Sequence, residues 1–419
     1  MASPSFQAPK GTRDILAPQS TRQRALIDLF AETVERASYG AISTPIFEDI
    51  GVFLRLGEAT DVVTKEMYDF VAKDGSHIAL RPELTASVVR AFVQHRPTTP
   101  WKVWYEGPQF RYERPQAGRY RQFTQVGIEA LGTSDPELDV EVISLAADFY
   151  SALGLQQVTL LLNSLGDPTC RPAYLEALES YFRDNIADLS EQSALTLDIN
   201  PLRVLDSKRE QDQTLIDGAP LMVDFLTPEL ADHFDQVRQG LDQLSIGYTL
   251  SPRLVRGLDY YTLTTFEFAA DALDTAQNAI GGGGRYDGLA ESLGGPDTPG
   301  IGFALGVDRI LLACDAEDTF PAPEVSPQVF VVDVSGAHVS LELTNELRKH
   351  GISADRAWDN RSMKAQMKVS DRSQAAFAVI VGEDELASDS VTVRDLRGDT
   401  GQQLMKRADL IAHLQNHLD

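Results

Sequence analysis

WKVWYEGPQFRYERPQAGRYRQFTQVGIEALG, residues 101–132, holds two runs rich in Val, Trp, Tyr and Phe, about 102–113 and 121–131, around a loop with Pro115 and Gly118. That pattern predicts an antiparallel hairpin. Side chains alternate faces along a strand, so Phe123, Gln125, Gly127 and Glu129 share one face and Thr124, Val126 and Ile128 the other. Arg111 and Glu113 share a face of the first strand, and Arg114, Arg119 and Arg121 join them, so four arginines stand against one glutamate between 111 and 121. Such forked donors suit an anionic ligand, a polyphosphate above all. A solvated surface ribbon would also account for the arginines. It would not account for a ring, an amide, a gap and a carboxylate in one row.

The chain has 419 residues, 43% hydrophobic and 24% charged, enough for two or three domains with substantial cores. Its start, MASPSFQAPKGTRD, lacks the apolar segment of a signal peptide, and no run approaches the ~20 apolar residues of a membrane helix. A cytoplasmic protein with no membrane partner is expected. Cys170 and Cys314 stand far apart with no CxxC pair, which points to buried free thiols rather than a disulfide or zinc site. A formal charge of −25 argues against nucleic-acid binding over the whole surface. The excess is segregated, with 15 Asp+Glu against 6 Lys+Arg in residues 171–245, so any RNA contact is confined to local basic patches.

Along the chain, Leu26, Leu29, Phe30, Val34 and Ala37 give a helix over 20–37 one buried stripe, with its Ser/Thr start as the expected cap. Pro45 suits an edge or interface strand. Residues 77–95 predict a short strand leading through Arg81 and Pro82 into a helix. By spacing alone, Glu83 and Thr85 read as an ordinary first helical turn, where acidic residues are favoured. A helix over 136–153 and a strand over 157–162 precede the acidic helical stretch, and strands return at 251–268. Gly281 to Gly284 are not followed by GK[ST], so close backbone packing beside a ligand is expected there rather than a Walker loop. Residues 300–315 read as a strand passing at Gly306 into a helix, with Arg309 near its start, able to reach an anion. EDTFPAPEVSPQ marks a boundary, and strands alternating with helices over 328–419 predict a small α/β domain. His413 and His417 have no acidic third ligand nearby, so no metal site is expected.

FRYERPQAGRYRQFTQVGIE resembles motif 2 of the class II aminoacyl-tRNA synthetases in its histidyl branch. LRPELTA is similar to the family's LRPEGTA, with Leu84 in place of glycine, and RGLDYYT at 256–262 is similar to the histidine-specific RGLDYYTGT. NPLRVLDSK at 200–208 resembles the family's insertion, GIGFALGVDRILLACD its motif 3, the 20–56 region its dimer-forming motif 1, and DNRSMKAQMKVSDRSQAAFAVIVGEDE its anticodon-binding domain.

The resemblance implies an α+β fold: an antiparallel sheet with flanking helices and a helical insertion, followed by a small α/β anticodon-binding domain. It implies a catalytic domain at 1–170 and 246–320, the insertion at 171–245 and the tRNA-binding domain at 328–419. It also implies histidine–tRNA ligase activity: L-histidine and ATP give histidyl-adenylate and pyrophosphate, and the histidyl group moves to histidine tRNA. By family correspondence Arg256 and Arg111 are catalytic cations at the α-phosphate. Glu113 and Phe123 hold adenine, and Arg119 and Arg309 the outer phosphates. Glu83, Thr85 and Gln125 bind the amino group of histidine, Glu129 and Tyr261 opposite nitrogens of its imidazole, Tyr260 is a further histidine-binding residue, and Arg114 contacts the tRNA acceptor end. Mg2+ enters with ATP, no cofactor is permanently bound, and the chain forms a homodimer. The alternative is a catalytically silent, histidine-binding regulatory paralogue of ATP phosphoribosyltransferase, disfavoured by the presence of Arg111, Arg256, Arg309 and the C-terminal domain.

Overall fold

Val126, Ile128 and Ala130 are fully buried on the helix-covered side of the hairpin, as the two-residue period requires. The computed structural model describes residues 6–55, 62–255, 257–273, 278–359, 361–399 and 401–418. Helix α1 (Gln19–Glu35) leads into β1 (Gly40–Ala41), β2 (Phe47–Asp49), α2 (Ile50–Leu54), β3 (Tyr68–Val71), β4 (His77–Leu80) and α3 (Thr85–His95). The hairpin follows as β5 (Trp101–Phe110) and β6 (Gln122–Leu131), then α4 (Pro136–Ala152) and β7 (Val158–Ser164). The acidic stretch folds as α5 (Arg171–Asp184), α6 (Glu191–Leu197), α7 (Glu210–Gly218) and α8 (Pro228–Gln243). Next come β8 (Thr249–Leu250), β9 (Thr262–Ala270), β10 (Ala279–Arg285), α9 (Leu289–Ser292), β11 (Gly300–Gly306) and α10 (Val307–Ala316).

Eight strands form one sheet in the order β1-β5-β6-β11-β10-β9-β7-β8. Its six inner strands are antiparallel, and only the short edge pairs β1–β5 and β7–β8 are parallel. One face is covered by α1, α4, α8 and α10, whose apolar residues share a core with Val126, Ile128 and Phe303. Phe30 of α1 sits at its centre, edge-on to Phe149 with ring centroids 5.1 Å apart and to Phe303 at 6.2 Å. The opposite face is covered near one end by α2, α3 and α9, and the rest of it carries polar groups. A separate sheet, β2-β4-β3, lies beside α2 and α3.

Several local details come from packing rather than propensity. Helix α1 has no Ser/Thr cap: it begins after Pro18, and the carbonyls of Leu16 and Pro18 accept from the amides of Ser20 and Arg22. Helix α4 begins with Asp135, whose side chain accepts from the Glu137 amide at 2.9 Å, followed by Pro136. Fully buried Arg285 of β10 sits 2.6 Å from Asp139 of α4, and His233 of α8 is 3.1 Å from the same carboxylate, so a charged knot ties two helices to the sheet. Within the acidic stretch, Tyr174, Leu178, Phe182, Val204, Leu205, Ile216 and Met222 pack into an apolar cluster of their own. Phe234, Val237 and Leu241 of α8 instead join the core of the large sheet. Both thiols, Cys170 and Cys314, are buried and free.

A second compact unit spans Pro323–Asp419, with the division falling inside the proline-rich linker. It contains β12 (Val329–Asp333), α11 (Val339–Lys349), β13 (Ala354–Arg356), α12 (Met363–Arg372), β14 (Phe377–Val381), α13 (Glu383–Ala387), β15 (Ser390–Asp395), β16 (Gln402–Lys406) and α14 (Leu410–Gln415). The sheet order is β13-β12-β14-β15-β16, with apolar clusters on both faces. Strand β16, QQLMK, is an exposed polar edge without apolar alternation, so sequence pattern does not announce it. His413 and His417 stack with ring centroids 4.3 Å apart, and among the described residues no group of three His, Cys, Asp or Glu converges.

Phe30→Ala should destabilise the N-terminal unit by ~3–5 kcal/mol, the usual cost of emptying an aromatic site in a dense core. Denaturant unfolding followed by tryptophan fluorescence would measure it, and a loss under ~1 kcal/mol would remove Phe30 from that central role.

Candidate active site

Glu129 is fully buried on β6, on the face opposite Val126 and Ile128. Three hydroxyls from three other elements donate to it: Thr85 at 2.7 Å and Tyr105 at 3.1 Å to Oε1, and Tyr286 at 2.6 Å to Oε2. Two glycines make the space. Tyr105 crosses over Gly127, where an added Cβ would lie 2.5 Å from the phenol oxygen. Gly302 pairs with Glu129 across β11, and a Cβ there would lie 1.9 Å from Oε2. Burial pushes the Glu129 carboxyl from 4.5 up to about 8; the hydroxyls of Tyr286, Thr85 and Tyr105 pull it down and the Glu83 charge pushes it up. A carboxyl raised this far keeps its proton more readily than a free one; when it does, it donates to Tyr105, whose own hydroxyl then turns to the Phe303 carbonyl at 3.4 Å.

Glu83 precedes α3, and its carboxylate accepts from the amides of Thr85 at 2.7 Å and Ala86 at 2.8 Å. It is thus a helix cap as well as a buried charge, and burial raises its pKa against those hydrogen bonds. Leu84 has φ −110°, open to any residue, and fills a cluster with Val88, Val103 and Tyr105, so this site needs no glycine. Tyr260 hydrogen-bonds to Tyr261, with ring centroids 4.6 Å apart, and Tyr260 meets Tyr286 edge-on at 6.0 Å. On β6 between these groups and Phe123, the Gln125 side-chain oxygen is buried with no partner. An acceptor left in that state fits a cationic donor such as an ammonium.

At the other end of β6 the arginines gather. Arg111 donates from Nε to the Pro82 carbonyl at 2.9 Å, and its guanidinium carbon lies 5.3 Å from the Phe123 ring centroid. Arg119 is paired with Glu113. Arg309 of α10 donates to the Ala279 carbonyl at 2.9 Å. Burial lowers its pKa, as do the charges of Arg119 and Arg111, against Glu113 and Glu267. Three cations held close enough to feel one another fit a polyanion. Arg114 is exposed on the loop. Arg256 lies outside the described residues.

The chain matches the family model for histidyl-tRNA synthetase over residues 11–310 and that for the anticodon-binding domain over residues 328–417. The chain belongs to the histidyl-tRNA synthetase family. It is similar to a histidine–tRNA ligase of Rhodococcus erythropolis, 48% identical over 98% of this chain and 99% of that one. One from Streptomyces coelicolor is 45% identical over 99% and 98%. The crystal structure of apo Staphylococcus aureus histidyl-tRNA synthetase superimposes with a TM-score of 0.83 at 36% identity, covering 98% of this chain and all of that one. A member of this family is a class II aminoacyl-tRNA ligase, and the silent regulatory reading is not favoured.

Pattern reading of the sequence missed three groups. Tyr286 lies two residues after the run Gly281 to Gly284, where only the glycines drew attention. Tyr105 lies directly opposite Gly127 in the hairpin register, so the alternation that placed Glu129 could have placed it too. Glu66 gives no local signal; burial raises its pKa, followed by the charge of Glu113, to which it hydrogen-bonds. The glycines of β10 are crowded by β9 and β11 themselves: a Cβ on Gly283 would lie 2.0 Å from the Gly302 carbonyl oxygen.

Because the folded Glu129 pKa lies above its unfolded value, its protonation contributes stability that is fully present below pH 4.5 and lost as pH rises through about 8. Glu129→Gln removes this dependence. Denaturant unfolding of both proteins at pH 5.5 and 8.5 should therefore show the variant gaining on the wild type at the higher pH. A difference independent of pH would mean the carboxyl is ionised throughout.

Proposed function

We propose that the chain activates L-histidine with ATP, giving histidyl-adenylate and pyrophosphate, and transfers the histidyl group to the 3′ end of histidine tRNA. The observation that carries the reading is the gradient along β6, from arginines around Phe123, through the unpartnered Gln125 oxygen, to the buried carboxyl of Glu129. A zwitterionic amino acid with an imidazole and a polyphosphate fit that sequence of charges. Gln125, with Glu83 and Thr85, receives the ammonium; Glu129, Tyr260 and Tyr261 receive the ring. Glu113 and Phe123 hold adenine, Arg119 and Arg309 the outer phosphates, and Arg114 the acceptor end of the tRNA.

The substrate carboxylate is itself the nucleophile, so the protein supplies alignment and charge neutralisation rather than a covalent intermediate. Negative charge grows on the nonbridging α-phosphate oxygens as the carboxylate attacks, and Arg111 and Arg256 answer it. Their planar forks address phosphate and carboxylate oxygens together, which a lysine point charge does not. Magnesium arrives with the ATP phosphates as part of the substrate. Work in the cytoplasm belongs to the same proposal, since ATP, histidine and tRNA meet there. Residues 328–419 serve tRNA binding, and residues 171–245 form the insertion between the two catalytic parts.

Histidine-dependent exchange between pyrophosphate and ATP tests the activity directly; its absence from the folded chain would overturn it. Glu129→Ala should lose discrimination against apolar amino acids while retaining ATP binding, because an unpaired polar group no longer penalises the wrong side chain, an effect that reaches ~10⁴-fold. Unchanged selectivity would put the imidazole elsewhere.

A homodimer completes the proposal. Ile46, Phe47, Leu54, Phe70 and Val71 are exposed on or beside the β2-β4-β3 sheet, an apolar surface suited to a second copy of the chain. Phe47→Asp should shift sedimentation toward the monomer and lower activity. An unmodified chain that is monomeric and fully active at assay concentration would remove the dimer.

A further inference from the structure

The segment between β8 and β9, residues 251–261, carries Tyr260 and Tyr261 yet has no helix or strand of its own among its described residues. Its conformation is held from outside. Asn163 of β7 donates to the carbonyls of Pro252 at 3.3 Å and Leu254 at 3.0 Å. Arg253 reaches out to the carbonyls of Pro220 at 2.8 Å and Asp217 at 2.9 Å. Two arginines of the insertion reach in. Arg171 donates to the Tyr261 carbonyl at 2.6 Å, and Nη2 of Arg203 donates at 2.9 Å both to the Gly257 carbonyl and to Oδ1 of Asp259.

Arg203 is well built for holding. It lies in a 3₁₀ turn, Pro201–Asp206, started by Pro201 and closed by the Asn200 side chain accepting from the Leu202 amide at 3.0 Å. Its neighbours Val204 and Leu205 are buried in the insertion's apolar cluster, so the guanidinium stands on a rigid base. Between this turn and the segment lies a cavity of about 320 Å³, lined by Asn200, Arg203, Leu258 and Tyr261 among others. Val255 packs against the insertion's apolar cluster, but beyond it the cavity separates the segment from the insertion, and polar tethers span that gap at Gly257, Asp259 and Tyr261.

We propose that Arg203 is a positioning residue for histidine recognition: by holding Gly257 and Asp259 it sets the backbone that presents Tyr260 and Tyr261 beside the buried Glu129. This rests on the reading of those tyrosines as part of the histidine site. Magnitudes separate the role from a structural one. The Arg203–Asp259 pair is partly exposed, 21% and 32%, and such pairs contribute little to stability. A displacement of ~1 Å in a binding group can nonetheless cost up to ~10²-fold in activity.

The test uses pyrophosphate exchange by the full chain. Arg203→Ala should raise the KM for histidine by about tenfold or more, leave the KM for ATP within about twofold, and shift the thermal midpoint little. Asp259→Ala should reproduce this, and Arg203→Lys, which keeps one donor, should recover part of the loss. In a Tyr261→Phe background, removal of Arg203 should cost far less than in the wild type, because both changes act on one contact. An unchanged histidine KM would overturn the proposal, as would an undiminished effect in the Tyr261→Phe background. So would a parallel rise in both KM values with a large fall in thermal midpoint. Absence of exchange in the unmodified chain would overturn the functional reading itself; exchange present but indifferent to Arg203 would overturn the positioning role alone.

Discussion

A carboxyl group that water cannot reach is the constraint on which the rest of this site depends. Glu129 sits at zero exposure, and an uncompensated charge there would cost several kcal/mol. The fold answers with three hydroxyls and a pKa moved up to about 8. Those hydroxyls come from the start of α3, from β5 and from the turn after β10, so the placement of three elements is tied to one side chain. The same requirement governs Gly127 and Gly302, because a side chain at either position would collide with Tyr105 or with Glu129.

The two faces of the sheet divide the work. Its helix-covered face is an apolar core organised about Phe30, Phe149 and Phe303, while the other carries the row of Phe123, Gln125 and the buried Glu129. Preorganisation follows: Arg111 is tied to the Pro82 carbonyl and Arg309 to the Ala279 carbonyl, so neither needs extensive reordering to meet an anion. A chain with a net charge of −25 still brings Arg111, Arg119 and Arg309 together at one end of β6, while much of its acidic excess falls in residues 171–245.

The acidic stretch illustrates how continuous sequence can serve two cores. Tyr174 through Met222 build a cluster of their own, whereas α8 packs on α4 and completes the core of the large sheet. A run of helices with one charge character therefore does not mark one packing unit. The first part of that run also supplies the arginines that hold the irregular segment before β9, at the carbonyls of Gly257 and Tyr261 and the side chain of Asp259.

Much of this was legible before folding, for local reasons. The row Phe123, Gln125, Gly127, Glu129 follows from the two-residue period of a strand, the α1 stripe from helical period, and the linker from its prolines, all short-range properties of the chain. The RGLDYYT and LRPELTA stretches pointed to histidine only through their resemblance to the family's motifs; by spacing alone Glu83 and Thr85 read as an ordinary helical turn. Only the tertiary structure decided what Glu129 touches: its partners lie 44, 24 and 157 residues away, at Thr85, Tyr105 and Tyr286. It also showed that Glu83 caps α3, that Leu84 has an apolar pocket, and that Arg203 grips Asp259 across 56 residues. Period and propensity act over a few residues, whereas the burial of a charge is settled by whatever strands and helices close over it.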